Sequence, residues 1–171
     1  PLRDQIAMNV SHGDQRLLEI GITLAMKPEL LMLDEPLAGL AAKERVKIAG
    51  LIRTLAGEHT VILIDHDIDQ ILNISDRITV LAQGKVIAEG SPDEIQANPL
   101  VQEAYIGGFD RLHLVSHPPQ RRTDVPLLTV DRINTSYGKI HILHDVSLAV
   151  YPGELGCLLG REGLEARPQD V

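Results

Sequence analysis

Tryptophan is absent, phenylalanine occurs once and tyrosine three times, so aromatic side chains make up only 2% of the 171 residues. Basic residues are in deficit too, with 16 Lys and Arg against 24 Asp and Glu and a formal net charge of −8. A nucleic-acid groove needs a basic stripe and stacking faces, and both shortages argue against one. Arg121-Arg122 is too short a run to supply it. Cys157 is the sole cysteine, which excludes an internal disulfide and suits a reducing compartment. No apolar run approaches the ~18–20 residues of a membrane span, and Pro1-Leu2-Arg3-Asp4 does not read as the start of a signal peptide. No serine or cysteine nucleophile constellation is present.

Apolar residues reach 44%, enough for a buried core, and 23% charged residues rule out disorder throughout. The length matches about one domain at roughly 100–200 residues each. Charge is uneven along it: residues 1–107 carry nine Lys and Arg against sixteen Asp and Glu, the remainder seven against eight.

Between Val10 and Leu81 helical and strand-like segments alternate. Ser11 and Asp14 form a cap-like start, after which Leu17, Ile20, Gly21, Leu24 and Ala25 recur at helical spacing until Pro28. Leu30–Leu33 and Val61–Ile64 are short continuous apolar runs, as parallel strands covered on both faces require. Helical period returns from Lys43 to Ala56 and again from Asp67 to Ser75. Ile78–Leu81 and Lys85–Ala88 flank a Gln83-Gly84 turn as a hairpin, and Ser91-Pro92-Asp93-Glu94 starts a further helix. Strand and helix in alternation predict an α/β fold with parallel core strands and flanking helices.

The texture changes after Gly107. His117–Pro126 is polar, proline-rich and without period, which reads as a linker. Leu127–Asn134, Ile140–Val150 and Leu155–Leu159 are β-like. Three strands with no helix to cover them cannot bury a core of their own.

Three short stretches carry chemistry. Leu30–Leu33 delivers Asp34-Glu35-Pro36 to a strand end, where open α/β sheets place ligands. An exposed Asp-Glu pair opening a loop would show the same letters. Val10–Gln15 is a small-residue turn opening a helix, either an anion site made by free backbone N–H groups or an ordinary N-cap. His66 stands just past the second apolar strand, placed to bond a phosphate or a water beside Glu35, or there for structural reasons alone. His141 and His144, three apart in a strand, are expected to face opposite sides, which argues against a metal site. His113 and His117 have no Cys or acid at ligand spacing and read as loop residues.

Taken together and in this order, the stretches resemble the ATP-binding cassette (ABC) transporter ATPases. Ser11-His12-Gly13-Asp14-Gln15 is similar to the family signature, Asp34-Glu35 to its Walker B pair and His66 to its switch histidine. Ile74–Leu81, Gln83-Gly84-Lys85, Glu89-Gly90-Ser91-Pro92 and Tyr105-Ile106-Gly107 resemble the branched-chain amino acid (or related urea and amide) uptake subfamily. The tail resembles the beginning of the same family. Ser136-Tyr137-Gly138 is similar to the segment bearing its adenine-stacking aromatic, and Gly153-Glu154 leads into a strand before the phosphate loop. The Gly-x-x-Gly-x-Gly-Lys-Ser/Thr pattern starts with Gly160 and Gly163. It then meets Glu165, Ala166 and Arg167 where Gly, Lys and a hydroxyl residue belong. His12 and Asp14 replace a Gly and a Gln of the signature, and Ala41 an acid past Pro36.

The resemblance implies a P-loop NTPase-like cassette fragment plus a short β-rich segment. Residues 1–107 would be the rear of one ATP-binding domain, 108–126 a linker, and 127–171 the start of a second. It further implies ATP as ligand, with Ser11, His12, Gly13, Asp14, Gln15, Tyr137, Gly160 and Gly163 as its contacts. Asp34 would hold Mg²⁺ through water, and Glu35 and His66 would be catalytic. The partners implied are a second ATP-binding subunit head to tail, transmembrane permease subunits and, indirectly, a solute-binding protein, with no nucleic acid. The location implied is the cytoplasmic face of the inner membrane. With Ala166 in the lysine position the chain is expected not to hydrolyse ATP alone. Two other readings stand beside this one: a non-catalytic module capping ATP on an intact cassette, and a permuted single domain in which residues 127–160 add strands to the sheet of residues 1–107.

Overall fold

The computed structural model describes residues 9–105 and 123–160. In chain order they form α1 (His12–Ala25), β1 (Leu30–Asp34), α2 (Ala42–Ala56), β2 (Thr60–Asp65), α3 (Ile68–Ile74), β3 (Arg77–Ala82) and β4 (Lys85–Gly90). There follow α4 (Pro92–Ala97), α5 (Pro99–Ala104), β5 (Leu128–Tyr137), β6 (Ile140–Val150) and β7 (Leu155–Gly160). Helix starts have local chemical causes. Ser11 Oγ accepts the Asp14 N–H at 3.2 Å, and Asp67 accepts the Gln70 N–H at 3.4 Å. At α4 the cap is reciprocal: Ser91 Oγ accepts the Glu94 N–H while Glu94 Oε2 accepts the Ser91 N–H at 2.8 Å. The Ser91 N–H, and then its hydroxyl, hold the Glu94 carboxyl below its ordinary value.

Five strands make one sheet in the order β1-β2-β7-β3-β4. β1, β2, β7 and β3 run parallel, and β4 returns antiparallel beside β3. The segment expected to open a second domain therefore supplies the middle strand of the sheet. It is buried as such: Leu155 and Leu159 have 0% of their surface exposed. Val61 and Leu63 of β2, Ile78 and Val80 of β3 and Leu31 of β1 form one core cluster with Leu155 and Leu159. Ile48 and Ile52 of α2, Ile71 and Leu72 of α3 and Ile95 of α4 complete it. Each such side chain removed from water contributes about 1.5–3 kcal/mol before entropy is charged against it.

β5 and β6 pair antiparallel as a separate two-stranded ribbon. The end of β6, Leu148–Val150, lies over the opposite sheet face, lining a small cleft with Ile62, Thr79 and Leu158. The β3–β4 turn anchors its middle, since Gly84 O accepts the His144 N–H at 2.8 Å. Residues 131–142 are exposed on both faces of the ribbon.

Two expectations are corrected. β1 pairs only with β2, and Met32 on its outer face is 60% exposed, so this strand is an edge strand covered on one face. His141 and His144 do not point apart; their ring centroids are 4.1 Å from each other. The pairing register shifts between Thr135 and Ser136, so that two residues of β5 oppose a stretch from His141 to Leu143. An irregularity of this kind resets the alternation of side chains along a strand.

Gly84 is where the ribbon meets the sheet most closely. It has φ +74°, and a Cβ there would lie 1.8 Å from the Ile142 carbonyl oxygen. Gly84→Ala should cost at least about 2 kcal/mol, because both strained backbone and a main-chain collision must be relieved. The measurement is the urea midpoint at unchanged m; an unaltered midpoint would contradict the docking of β6 at this turn.

Candidate functional site

Parallel strands end on one side of a sheet, and here that side gathers the polar residues. In register, Asp34 lies beside Ile64, Asp65 beside Leu159 and Leu81 beside Gly160. Asp34 is exposed, and with Arg16, Thr23 and Pro36 it lines a cleft of about 170 Å³. Glu35 and His66 are joined directly, with Nδ1 of His66 3.0 Å from Glu35 Oε1. An ionised carboxylate only accepts, so in this contact Nδ1 is the donor. Asp65 is almost buried and orders the His66 main chain: its Oδ1 accepts the N–H of His66 at 2.8 Å and of Asp67 at 3.1 Å.

Glu35 sits in left-handed backbone, φ +42°. Its main chain is held by three bonds. The N–H donates to Ile64 O at 2.8 Å, and the carbonyl accepts from Ala38 N–H at 3.2 Å and from Arg16 Nη2 at 3.3 Å. A non-glycine residue adopts this region at a cost of order 1 kcal/mol or more, and persists there when its surroundings over-determine it. Arg16 thus ties the first turn of α1 to the Asp34-Glu35 corner. Sequence reading passed over it, although its position directly after Gln15 was a signal.

At the start of α1, Ser11 Oγ also donates to Asp14 Oδ2 at 3.0 Å, so the serine and the acid close on each other. Gln15 Nε2 donates to Val10 O at 3.3 Å. Gly13 is buried against α2, and a Cβ there would come within 2.6 Å of Glu44 Oε1. The His12 ring lies over Gly39, its Nε2 3.5 Å from where a Gly39 Cβ would stand. Hence Gly13 is a packing position, whereas Ser11 and His12 are exposed. Ala41, just before α2, has no capping side chain; Glu44 Oε2 instead accepts its N–H at 3.1 Å.

The remaining sequence-derived residues are placed apart or not at all. Tyr137 ends β5 on the ribbon with 81% of its surface exposed. Gly160 ends β7 at the same sheet edge as Asp34. Gly163, Glu165, Ala166, Arg167, His113, His117, Arg121 and Arg122 lie outside the described residues. Among the described residues no three His, Cys, Asp or Glu side chains converge as a closed metal cage. No helix is long and apolar enough to cross a membrane among them.

The arrangement is that of an ATP-binding cassette, α/β with a mixed, mostly parallel sheet. It superposes on the solved cassette MJ1267 of an ABC transporter with TM-score 0.55 and 35% identity, over 61% of this chain and 43% of that one. The family model for branched-chain amino acid ATP-binding cassette transporters matches residues 85–111. The branched-chain amino acid transport ATP-binding protein LivG of Salmonella typhimurium is 48% identical over 103 residues, 59% of this chain and 40% of LivG. A Methanosarcina acetivorans protein named for ABC transporter ATP binding is 32% identical over 157 residues, 90% of this chain and 29% of that protein. The chain is thus similar to ABC transporter ATP-binding proteins of the branched-chain amino acid type, and it spans about 40% of the length of the LivG relatives it matches.

Relief of the strained corner should be measurable. Glu35→Gly removes the Cβ that disfavours φ +42° and forfeits one half-exposed bond to His66. We expect a rise in stability of about 0.5–1 kcal/mol by urea unfolding, the pattern of a residue retained for function at a stability cost. A fall in stability would show that the His66 bond outweighs the strain.

Proposed function

We propose that the chain belongs to the ATP-binding component of an importer for branched-chain amino acids or a related small solute, where ATP binding and hydrolysis drive a membrane permease. The observation that carries this reading is the Glu35–His66 pair at 3.0 Å beside Asp34, at the end of a parallel strand. Asp34 is an exposed hard oxygen donor, which fits a Mg²⁺ ion that keeps most of its waters. Bound ATP-Mg²⁺ would supply the γ-phosphate and its charge neutralisation. Glu35 would orient the attacking water, with His66 fixing the carboxylate from the side. Tyr137 would stack the adenine, and Gly160 and Gly163 would open the phosphate loop. Ser11–Gln15 would close over nucleotide held by a second ATP-binding subunit, head to tail. Permease subunits, and through them a solute-binding protein, complete the partners; the place of action is the cytoplasmic face of the inner membrane.

The phosphate loop is the weak point of the machinery. Ala166 stands at the lysine position and Glu165 brings negative charge to a phosphate seat. The chain alone therefore does not turn over ATP. Magnesium-dependent phosphate release by the purified chain should stay at background, and release that disappears in Glu35→Gln would refute this.

A second reading is favoured by the outward-facing Ser11 at the N-terminus of a 14-residue helix: a module that caps ATP on an intact cassette without hydrolysing it. It predicts association with an intact cassette that requires ATP and is lost in Ser11→Arg, measured by analytical ultracentrifugation. Binding unaffected by ATP or by the substitution would exclude it.

A further inference from the structure

His141 and His144 both belong to β6, and strict alternation would set residues three apart on opposite faces of the ribbon. Pairing with β5 removes that constraint. Ser136 lies opposite His141 and Thr135 opposite Leu143, so Ile142 is an extra residue on its strand. Discounting Ile142, the two histidines fall at even spacing and share a face, with ring centroids 4.1 Å from each other and planes tilted by 59°. The β3–β4 turn backs this bulge. A Cβ on Gly84 would collide with the Ile142 carbonyl and come within 3.1 Å of His144 Cδ2, so its lack of one lets the turn close in. Gly84 O then accepts the His144 N–H at 2.8 Å. Main-chain contacts on both sides fix where the pair stands.

The polar atoms of the two rings are unspent. His59 and His66 each use Nδ1 on a protein acceptor, Pro28 O at 3.2 Å and Glu35 Oε1 at 3.0 Å. Among the described residues, none bonds a ring nitrogen of His141 or His144. His141 is exposed and His144 half-buried, so the pair opens to solvent. The adjacent carboxylate is engaged elsewhere, since Asp145 Oδ1 accepts from Asn134 Nδ2 at 2.7 Å. Two imidazoles without an anion suit a borderline transition metal, whereas Mg²⁺ and Ca²⁺ require oxygen ligands. Imidazoles bound at a right angle, with metal–nitrogen bonds of about 2.0–2.1 Å, hold their centroids about 4.5 Å apart, and a tetrahedral angle spreads them to about 5.1 Å. The separation found here is closer to the first. Rotation about the broad χ2 torsion of histidine turns one nitrogen of each ring toward a common point.

We propose that His141 and His144 form a two-histidine site for a divalent transition-metal ion, bound at a right angle between the rings with water in its other positions. The ion clamps β6 across its bulge, where the ribbon meets the β3–β4 turn. This goes beyond the nucleotide reading and does not depend on it.

The probe is Ni²⁺, added to the full 171-residue chain without nucleotide or Mg²⁺. Isothermal titration calorimetry should find one Ni²⁺ per chain with a Kd below about 100 µM. His141→Gln and His144→Gln should each weaken binding at least about tenfold, the least that loss of a metal ligand costs. Ni²⁺ should also raise the urea midpoint of wild type and of neither variant, because the pair exists only in the folded chain. His141 is exposed, so His141→Gln should keep the metal-free midpoint and test the site even where His144→Gln disturbs the Gly84 contact. His113→Gln with His117→Gln should leave binding unchanged. Zn²⁺, which favours the wider tetrahedral angle, should bind more weakly than Ni²⁺.

A Kd above about 1 mM would overturn the proposal, as would unchanged binding in His141→Gln or binding lost with His113 and His117. Tighter binding of Zn²⁺ than of Ni²⁺ would overturn the right-angle arrangement. Saturation at half an equivalent together with dimerisation would place the ion between two copies and overturn the single-chain site.

Discussion

Asp76 reaches the main chain of Leu155 from both sides, accepting its N–H and donating to its carbonyl, while its other oxygen holds Arg53. The rest of the structure depends on this junction because it seats the central strand. A carboxylate so buried is costly unless fully bonded, and here each oxygen has a donor. Once β7 is in place, the apolar faces of β2 and β3 have a neighbour, and Leu155 and Leu159 join the helices in one core. Arg77 extends the junction outward. It pairs with Glu89 of β4, lies 3.9 Å from Glu154, donates to Ala149 O at 3.4 Å and stands 5.8 Å over the Tyr151 ring. The ribbon, the turn before β7 and the antiparallel edge are thereby tied to a single cation.

Parallel strand direction then decides where chemistry can happen. Because β1, β2 and β7 end together, Asp34, Asp65 and Gly160 share one edge although the chain visits them at widely separated points. Glu35 turns the corner at this edge in strained backbone, fixed from β2 by Ile64 O and from α1 by Arg16. The start of α1 is consequently tied to the acid corner, and Ser11 projects from it. Tyr137, by contrast, belongs to a ribbon exposed over much of its length, which meets the sheet through the end of β6 and the Gly84 contact.

Much of this was legible in the letters. Helix α1 announces itself through Ser11 and the spacing of Leu17, Ile20 and Leu24, and α4 through Ser91, Pro92 and Glu94, since caps and periodicity act within a few residues. The β1 and β2 runs are apolar and short, and the acids that follow them mark their ends. Other features were hidden because they depend on distant partners. Asp76 looks like an ordinary surface acid until a strand 79 residues away meets it. Met32 reads as core, and its exposure follows only from β1 having a single neighbour. The close approach of His141 and His144 needs a register shift that strict alternation denies.

The amino-acid sequence by itself therefore determined most of the elements, their caps and the resemblance to a cassette family, all of which rest on local spacing. Only the tertiary structure decided which gap the apolar run from Leu155 to Gly160 would fill. Five or six apolar letters suit any interior strand, whereas hydrogen-bond partners on two sides and a buried aspartate at the entrance admit one register. That choice converts a chain that reads as two pieces into one sheet.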